Sequence, residues 1–294
     1  MNITITGSLG NISKPLSESL IRAGHRVTII SNSADKKAAI EALGATAAIG
    51  SVEDISFLTS AFRGADGVYT MVPPNFGAAH WRQYIAGIGS NYAAAIRSAG
   101  VTRVVNLSSI GAHLPGGTGP IAGLHDVEQI LNSLEGVSVK HLRPAFFYIN
   151  FLSNIDMIKH MNILGSNYGE DRTLVMVHPD TIAGAAAEEI QSPFKGGSNR
   201  YIANDVRKAG EIAAVLGAAI GKPGLKWVEF SDEQALAGMQ QGGLSEEVAK
   251  NYVEMGTAIQ SGKLWEDYDR HKPAVLGEKK LEQFAVEFAA KYVS

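Results

Sequence analysis

The stretch Thr6-Gly7-Ser8-Leu9-Gly10-Asn11-Ile12-Ser13 is the part of this chain whose residue types and spacing suit chemistry most directly. Gly7 and Gly10 carry no Cβ, so the backbone can turn tightly and a bulky anion can approach it. Residues Leu9, Asn11 and Ile12 then present the N–H groups that open a helix. With the helix dipole behind them, these form a natural diphosphate site. The flanking pattern supports that reading: a strand over Ile3–Thr6, a helix over Asn11–Ala23, a stop at Gly24 and a second strand over Val27–Ile30. Such a βαβ unit of about 30 residues is the usual setting of a dinucleotide cradle.

Other candidates fall at later strand ends. Ser108 and Ser109 close a strand over Arg103–Leu107, at the edge where open α/β sheets hold ligands. His113 lies in the glycine-rich loop that follows (Gly111–Gly119) and His125 just beyond it, and an imidazole with a pKa of about 6.5 can serve as a proton donor. Val72, Pro73 and Pro74 end a strand over Gly67–Val72 and would shape one wall of the cleft. Phe146, Tyr148 and Asn150 leave the sixth strand at the same edge and are candidates to line a substrate pocket. His178 has no companion at metal-ligand spacing, so no metal site is expected. Asp180 reads as a helix cap.

The composition excludes several classes. There are no cysteines among 294 residues, which removes disulfides, thiolate nucleophiles and iron–sulfur clusters. The net charge of −3 and the scattered Lys and Arg show no nucleic-acid or anionic-membrane footprint. No apolar run approaches the ~18 residues of a membrane span, and a first strand at residue 3 leaves no room for a leader, so a cytoplasmic location is expected.

Elements that must position these residues follow in order. Helix Asp35–Leu43, strand Thr46–Ile49, helix Asp54–Phe62, helix Ala79–Ala99, helix Ile121–Leu134 and strand Val139–Leu142 continue the alternation. The strands are apolar on both faces, as in a parallel sheet buried under helices. This predicts an α/β, Rossmann-like doubly wound parallel sheet over residues 1–150. Residues 151–294 break the rhythm and predict a smaller, mostly helical substrate or lid region packed on the sheet edge. Its expected helices are Leu152–His160, Pro179–Gln191, Asp205–Ile220, Asp232–Met239, Ser245–Ile259 and Lys279–Tyr292, with short strands near Leu174–Val177, Arg200–Ala203 and Lys226–Phe230. Asp205 and Ser231 are the expected N-caps.

The segments Thr6–Ser13, Gly67–Pro74 (GVYTMVPP), Val101–His113 (VTRVVNLSSIGAH) and His141–Leu152 (HLRPAFFYINFL) resemble the NmrA-like branch of the atypical short-chain dehydrogenases/reductases. The resemblance implies a bound nicotinamide dinucleotide, a serine (Ser108) near the nicotinamide, and either an oxidoreductase or a non-catalytic redox sensor that regulates a protein partner. A small-molecule substrate is the expected partner; oligomeric state is left open. Ser13 replaces the third glycine of the fingerprint. Where many members carry an arginine for the cofactor's 2′-phosphate, the chain reads Ser31-Asn32-Ser33. No acid stands there either, and Lys36 and Lys37 follow, which favours NADP over NAD. The Tyr-x-x-x-Lys of active short-chain dehydrogenases is missing from Gly119–Leu131 (GPIAGLHDVEQIL), leaving His125 and Ser108 as catalytic candidates. The literal match Tyr268–Lys272 (YDRHK) lies far along the chain and reads as coincidence.

Overall fold

The structure is a computed structural model that describes residues 1–294. Its first half alternates strands β1 (Asn2–Ile5), β2 (Arg26–Ser31), β3 (Thr46–Ile49), β4 (Gly67–Thr70), β5 (Arg103–Leu107) and β6 (Ser138–Pro144) with helices α1 (Ser13–Arg22), α2 (Lys37–Ala42), α3 (Ile55–Phe62), α4 (Trp81–Ala99) and α5 (Pro120–Asn132). Then come β7 (Phe146–Phe147), α6 (Ile155–Met161), β8 (Ile163–Ser166), β9 (Thr173–Val177), α7 (Pro179–Gln191), β10 (Gly197–Ile202), β11 (Asp205–Lys208) and α8 (Ala209–Ala219). The chain ends with β12 (Lys226–Glu229), α9 (Asp232–Gln241), α10 (Glu246–Gln260), a short 3-10 turn at Lys263–Trp265, α11 (Glu266–Arg270) and α12 (Leu281–Val293).

Seven parallel strands form one sheet in the order β10-β6-β5-β4-β1-β2-β3. The chain winds outward from β1 to β3, crosses back, and winds outward again from β4. The carboxyl ends of β1 and β4 therefore border the switch-point crevice where such sheets bind ligands. Both faces are buried. One core of 50 residues joins the α1 and α7 side to the C-terminal elements, and a second of 18 lies under α3, α4 and α5. No helix is long and apolar enough to cross a membrane.

The seventh strand comes from beyond residue 150. Residues 197–202 pair with β6 along its whole length, so the expected short strand near Arg200–Ala203 belongs to the main sheet. The helix expected over Asp205–Ile220 is shorter. Its first four residues pair antiparallel with β9, and α8 begins only at Ala209. Asp205 accordingly caps nothing there; its Oδ2 accepts from the Leu281 amide at 3.2 Å, at the start of α12. Ser231 does cap α9, accepting from the Gln234 amide at 3.2 Å. Helix α7 is capped by His178, whose Nδ1 accepts from the Asp180 amide at 3.1 Å. The Asp180 carboxylate instead takes Lys279 Nζ at 2.5 Å.

Two polar rungs cross the sheet on the α4–α5 side. In the first, Thr70 Oγ1 donates to Asn106 Oδ1 at 3.0 Å, Asn106 Nδ2 to His141 Nδ1 at 3.1 Å, and His141 Nε2 to Asn132 Oδ1 at 3.0 Å. Successive members come from β4, β5, β6 and α5, so each hydrogen bond also fixes a neighbour in the stack. The chain of donors closes only if His141 is neutral, with its proton on Nε2. Burial pushes its pKa down to about 4, the nearby Glu128 pulling weakly the other way.

A depressed base favours the unfolded chain in acid. Stability is then constant above the unfolded pKa of about 6.5 and falls as pH drops towards about 4, by on the order of 3 kcal/mol in total. Urea unfolding from pH 7.5 to 4.5 should show that decline, and His141→Gln should flatten it. A slope unchanged in the variant would assign the loss to other groups.

Candidate functional site

The turn between β1 and α1 is shaped by two left-handed residues, Gly7 at φ +93° and Ser8 at φ +54°. A Cβ at Gly7 would overlap the Ser13 hydroxyl, which sits 2 % exposed and donates to the Thr6 carbonyl at 2.8 Å. Ser13 thus does the close-packing task of the missing glycine and adds a hydrogen bond that glycine lacks. Ser8 tolerates its conformation because both its polar groups are held: its amide donates to the Ile30 carbonyl at 3.0 Å and its hydroxyl to Ser31 Oγ at 2.9 Å. Sequence reading passed over Ser8 and Ser31, since only the fold brings them together.

Beyond the turn, Gly10 N–H closes on the Gly7 carbonyl at 3.1 Å and Lys14 N–H on the Gly10 carbonyl at 3.0 Å. The amides of Leu9, Asn11 and Ile12 have no acceptor within the protein. No side chain caps α1. Three free N–H groups at a helix start, in a turn whose exposed Gly10 presents bare backbone, fit a diphosphate. The edge of β2 is equally suited to the remote part of such a ligand. Ser31 Oγ accepts from Ser8 Oγ and from the Ser33 amide, and Asn32, Lys36 and Lys37 are exposed beside it. Lys37 lies 4.0 Å from Glu41, a pairing between two side chains that are each more than half exposed, while Lys36 has no carboxylate partner.

The wall after β4 is held from behind. Tyr92 on α4 donates to the Met71 carbonyl at 2.7 Å, Tyr84 to the Pro73 carbonyl at 3.1 Å, and the Met71 amide to Thr6 Oγ1 at 2.8 Å. Val72 and Pro73 are half-buried and Pro74 is exposed, so this segment borders the crevice opposite the glycine turn. Neither tyrosine hydroxyl is free for chemistry.

The structure separates the two catalytic candidates. Ser108 is 3 % exposed and donates to Glu128 Oε1 at 2.5 Å, turned into the helical layer. Glu128 is in turn gripped by Arg143, with Nη2–Oε2 at 2.7 Å and Nε–Oε1 at 3.0 Å. This second rung continues from Arg143 Nη1 to Tyr201 at 3.0 Å and to Asp267 on α11 at 3.1 Å, and Tyr201 also donates to Asp267. Burial opposes the guanidinium charge, yet the bonds and charge of Glu128 leave the Arg143 pKa raised. His125 is half-buried and donates from Nδ1 to the Ala112 carbonyl at 2.8 Å. Its neighbour Asp126 points elsewhere, to a bidentate pair with Arg82 at 2.7 and 2.8 Å that holds the carboxyl below its usual range.

Of the aromatic exit, only part can line a pocket. Phe146 and Phe147 are half-buried and Asn150 is exposed, whereas Tyr148 is sealed in the C-terminal core. Tyr148 stacks on Phe284 at 5.4 Å and its hydroxyl is directed at the Lys279 carbonyl, so it is withdrawn from any substrate. Tyr268 of the YDRHK stretch is likewise core, 2 % exposed and edge-on to Tyr201 at 5.7 Å.

The cradle yields a direct test. Gly7→Val should abolish NADPH binding in titration calorimetry while leaving far-ultraviolet dichroism intact, because the side chain would force the turn off Ser13. Gly10→Leu should do the same by covering the exposed amides. Absence of any dinucleotide affinity in the unmodified protein would remove the site.

Comparison with known proteins agrees with this geometry. A family described as NAD(P)H-binding matches residues 7–134. No curated protein sequence matches the chain significantly. Among solved structures, the chain is similar to the NADPH-dependent quinone oxidoreductase QOR2 of Escherichia coli complexed with NADPH, at TM-score 0.83 and 22 % identity, covering 97 % of this chain and 99 % of that one. It is also similar to the triphenylmethane reductase of a Citrobacter species complexed with NADP(H), at TM-score 0.81 and 18 % identity over 98 % and 99 % of the two chains. A nucleoside-diphosphate-sugar epimerase of Staphylococcus aureus shares the fold at TM-score 0.80 and 16 % identity over 97 % and 100 %. Residues 7–134 thus match a family of NAD(P)H-binding proteins, and the whole chain shares the Rossmann-like fold of these reductases.

Proposed function

We propose that the protein is an NADPH-dependent oxidoreductase acting on a small quinone-like or carbonyl substrate. The observation that carries this reading is the set of unpartnered Leu9, Asn11 and Ile12 amides at the start of α1. The β2 edge beside it offers hydroxyls and lysines, with no carboxylate among Ser31, Asn32 and Ser33 to take the ribose hydroxyls as an NAD site would. Two of the structures similar to this chain were solved with NADPH or NADP(H) bound, and both are reductases.

The cofactor, when bound, supplies a hydride from its nicotinamide ring. The chain's own residues supply position. Leu9, Asn11 and Ile12 would hold the diphosphate, Lys36 and Lys37 would take the 2′-phosphate, and Val72, Pro73 and Pro74 would form a wall of the site. Phe146, Phe147 and Asn150 would offer apolar surface and one amide to a substrate.

Proton delivery selects the substrate. Helix α5 carries neither tyrosine nor lysine, Ser108 is committed as a donor to Glu128, and His125, its Nδ1–H held by a backbone carbonyl, has only Nε2 to offer. Reduction of an alcohol's parent ketone needs a placed acid, whereas a quinone product is stabilised by aromaticity and can take its proton from solvent. Quinone-like acceptors therefore suit this site best.

Steady-state oxidation of NADPH against a panel of quinones and simple ketones tests the proposal, with turnover expected for quinones. Cofactor binding without any turnover would replace it with the sensor reading. NADPH should bind more tightly than NADH, and Lys36→Ala with Lys37→Ala should narrow the difference; equal affinities in the unmodified protein would defeat the assignment. Loss of a general acid costs ~100- to 10,000-fold. His125→Ala should change quinone turnover by much less than that, and a hundredfold loss with cofactor affinity intact would make His125 the acid.

A further inference from the structure

Phe76 is the one aromatic among the large apolar side chains exposed at the surface, at 49 %. Single exposed apolar residues are ordinary, so exposure alone assigns nothing. Phe76 differs in its place and in how firmly its loop is held. The loop leaves the carboxyl end of β4, a strand that borders the switch-point crevice, and runs to the start of α4 at Trp81. Pro73, whose carbonyl accepts from Tyr84 at 3.1 Å, is part of the crevice wall. Phe76 follows three residues later, and even a fully extended chain could carry it no more than ~11 Å away.

Both ends and the middle of this loop are fixed. Asn75 Oδ1 accepts from the Gly77 amide at 3.1 Å and the Asn75 carbonyl from the Ala78 amide at 3.2 Å, closing a turn around Phe76. At the far end the Trp81 amide donates to Glu247 Oε1 of α10 at 3.0 Å. A second aromatic layer backs the ring. Phe76 lies 5.7 Å from Trp81 at a tilt of 60°, and Trp81, 4 % exposed, meets Tyr252 of α10 edge-on at 5.6 Å. Part of the Phe76 ring is thus packed and the rest is open. No residue from Met71 to Ala79 is ionisable. A fixed, uncharged aromatic surface beside the crevice suits a flat neutral ring, which it meets by offset or edge contact.

We propose that Phe76 is a specificity residue of the acceptor site and packs against the planar ring of the substrate. This deepens the quinone-reductase reading and rests on it. Trp81 and Tyr252 back the platform and tie it to α10, so the C-terminal region helps to set where the acceptor lies.

Steady-state reduction of 2-methyl-1,4-naphthoquinone by NADPH tests this. Phe76→Ala should raise KM for the quinone about tenfold, with kcat and NADPH affinity unchanged. Phe76→Tyr should restore the low KM, and Phe76→Leu, apolar but not flat, should restore little of it. Phe76 belongs to neither core, so all three variants should keep the melting temperature of the unmodified protein. An unchanged KM in Phe76→Ala would overturn the platform and leave the reductase reading standing. A loss of NADPH affinity in that variant would put Phe76 against the cofactor and overturn the platform as well. An unmodified protein that binds NADPH but reduces no quinone would overturn the reductase reading, and the platform with it.

Discussion

The buried pair of Glu128 and Arg143 is the constraint on which the carboxyl edge of the sheet depends. Glu128 is 2 % and Arg143 6 % exposed, so neither charge survives without the other. Removing one member of such a pair typically costs ~3–5 kcal/mol, because the survivor is left charged in a dry place. The pair joins four elements: α5 through Glu128, β6 through Arg143, β10 through Tyr201, and α11 through Asp267. Ser108 completes it from β5. A serine at this edge, which sequence reading assigned to chemistry, is thereby turned into structure.

The same face carries a second, neutral rung one step deeper, through Thr70, Asn106, His141 and Asn132. Strand residues two apart point to the same side, so Asn106 and Ser108 on β5, and His141 and Arg143 on β6, stack as two parallel lines of polar groups. Each rung is worth having because every member is satisfied; a half-satisfied network would be worse than an apolar layer. Together they hold the ends of β5 and β6 beneath the crevice.

On the opposite side of the crevice the protein uses hydroxyls and backbone in place of charge. Ser13 stands where the fingerprint has glycine, and Ser8 adopts a left-handed turn held by Ser31. The turn keeps its shape although it departs from the glycine fingerprint, since a turn needs small residues and internal hydrogen bonds more than it needs glycine as such. Helix α5 carries neither a phenol nor an ammonium. That places the burden of selectivity on what the crevice can accept.

Much of this was legible in the sequence. Strand–helix alternation, the both-face apolar strands and the glycine turn are local patterns, and local patterns determine a doubly wound sheet and its dinucleotide cradle because periodicity and backbone freedom act over a few residues. The placing of Gly7, Gly10, Pro73 and the Ser231 cap followed from the same short-range rules. What those rules could not reach were partners far apart in the chain. A short strand near Arg200–Ala203 is legible, but not that it adds to the main sheet on the β6 edge, and Asp205 has the type of a helix cap although it pairs with β9. Tyr148 looked like a pocket residue because alternation predicts a side but not which side is core. The bond from Arg143 to Asp267 joins residues 124 positions apart. Only the tertiary structure decides such contacts, because electrostatics and burial act through space, and sequence distance carries no trace of them.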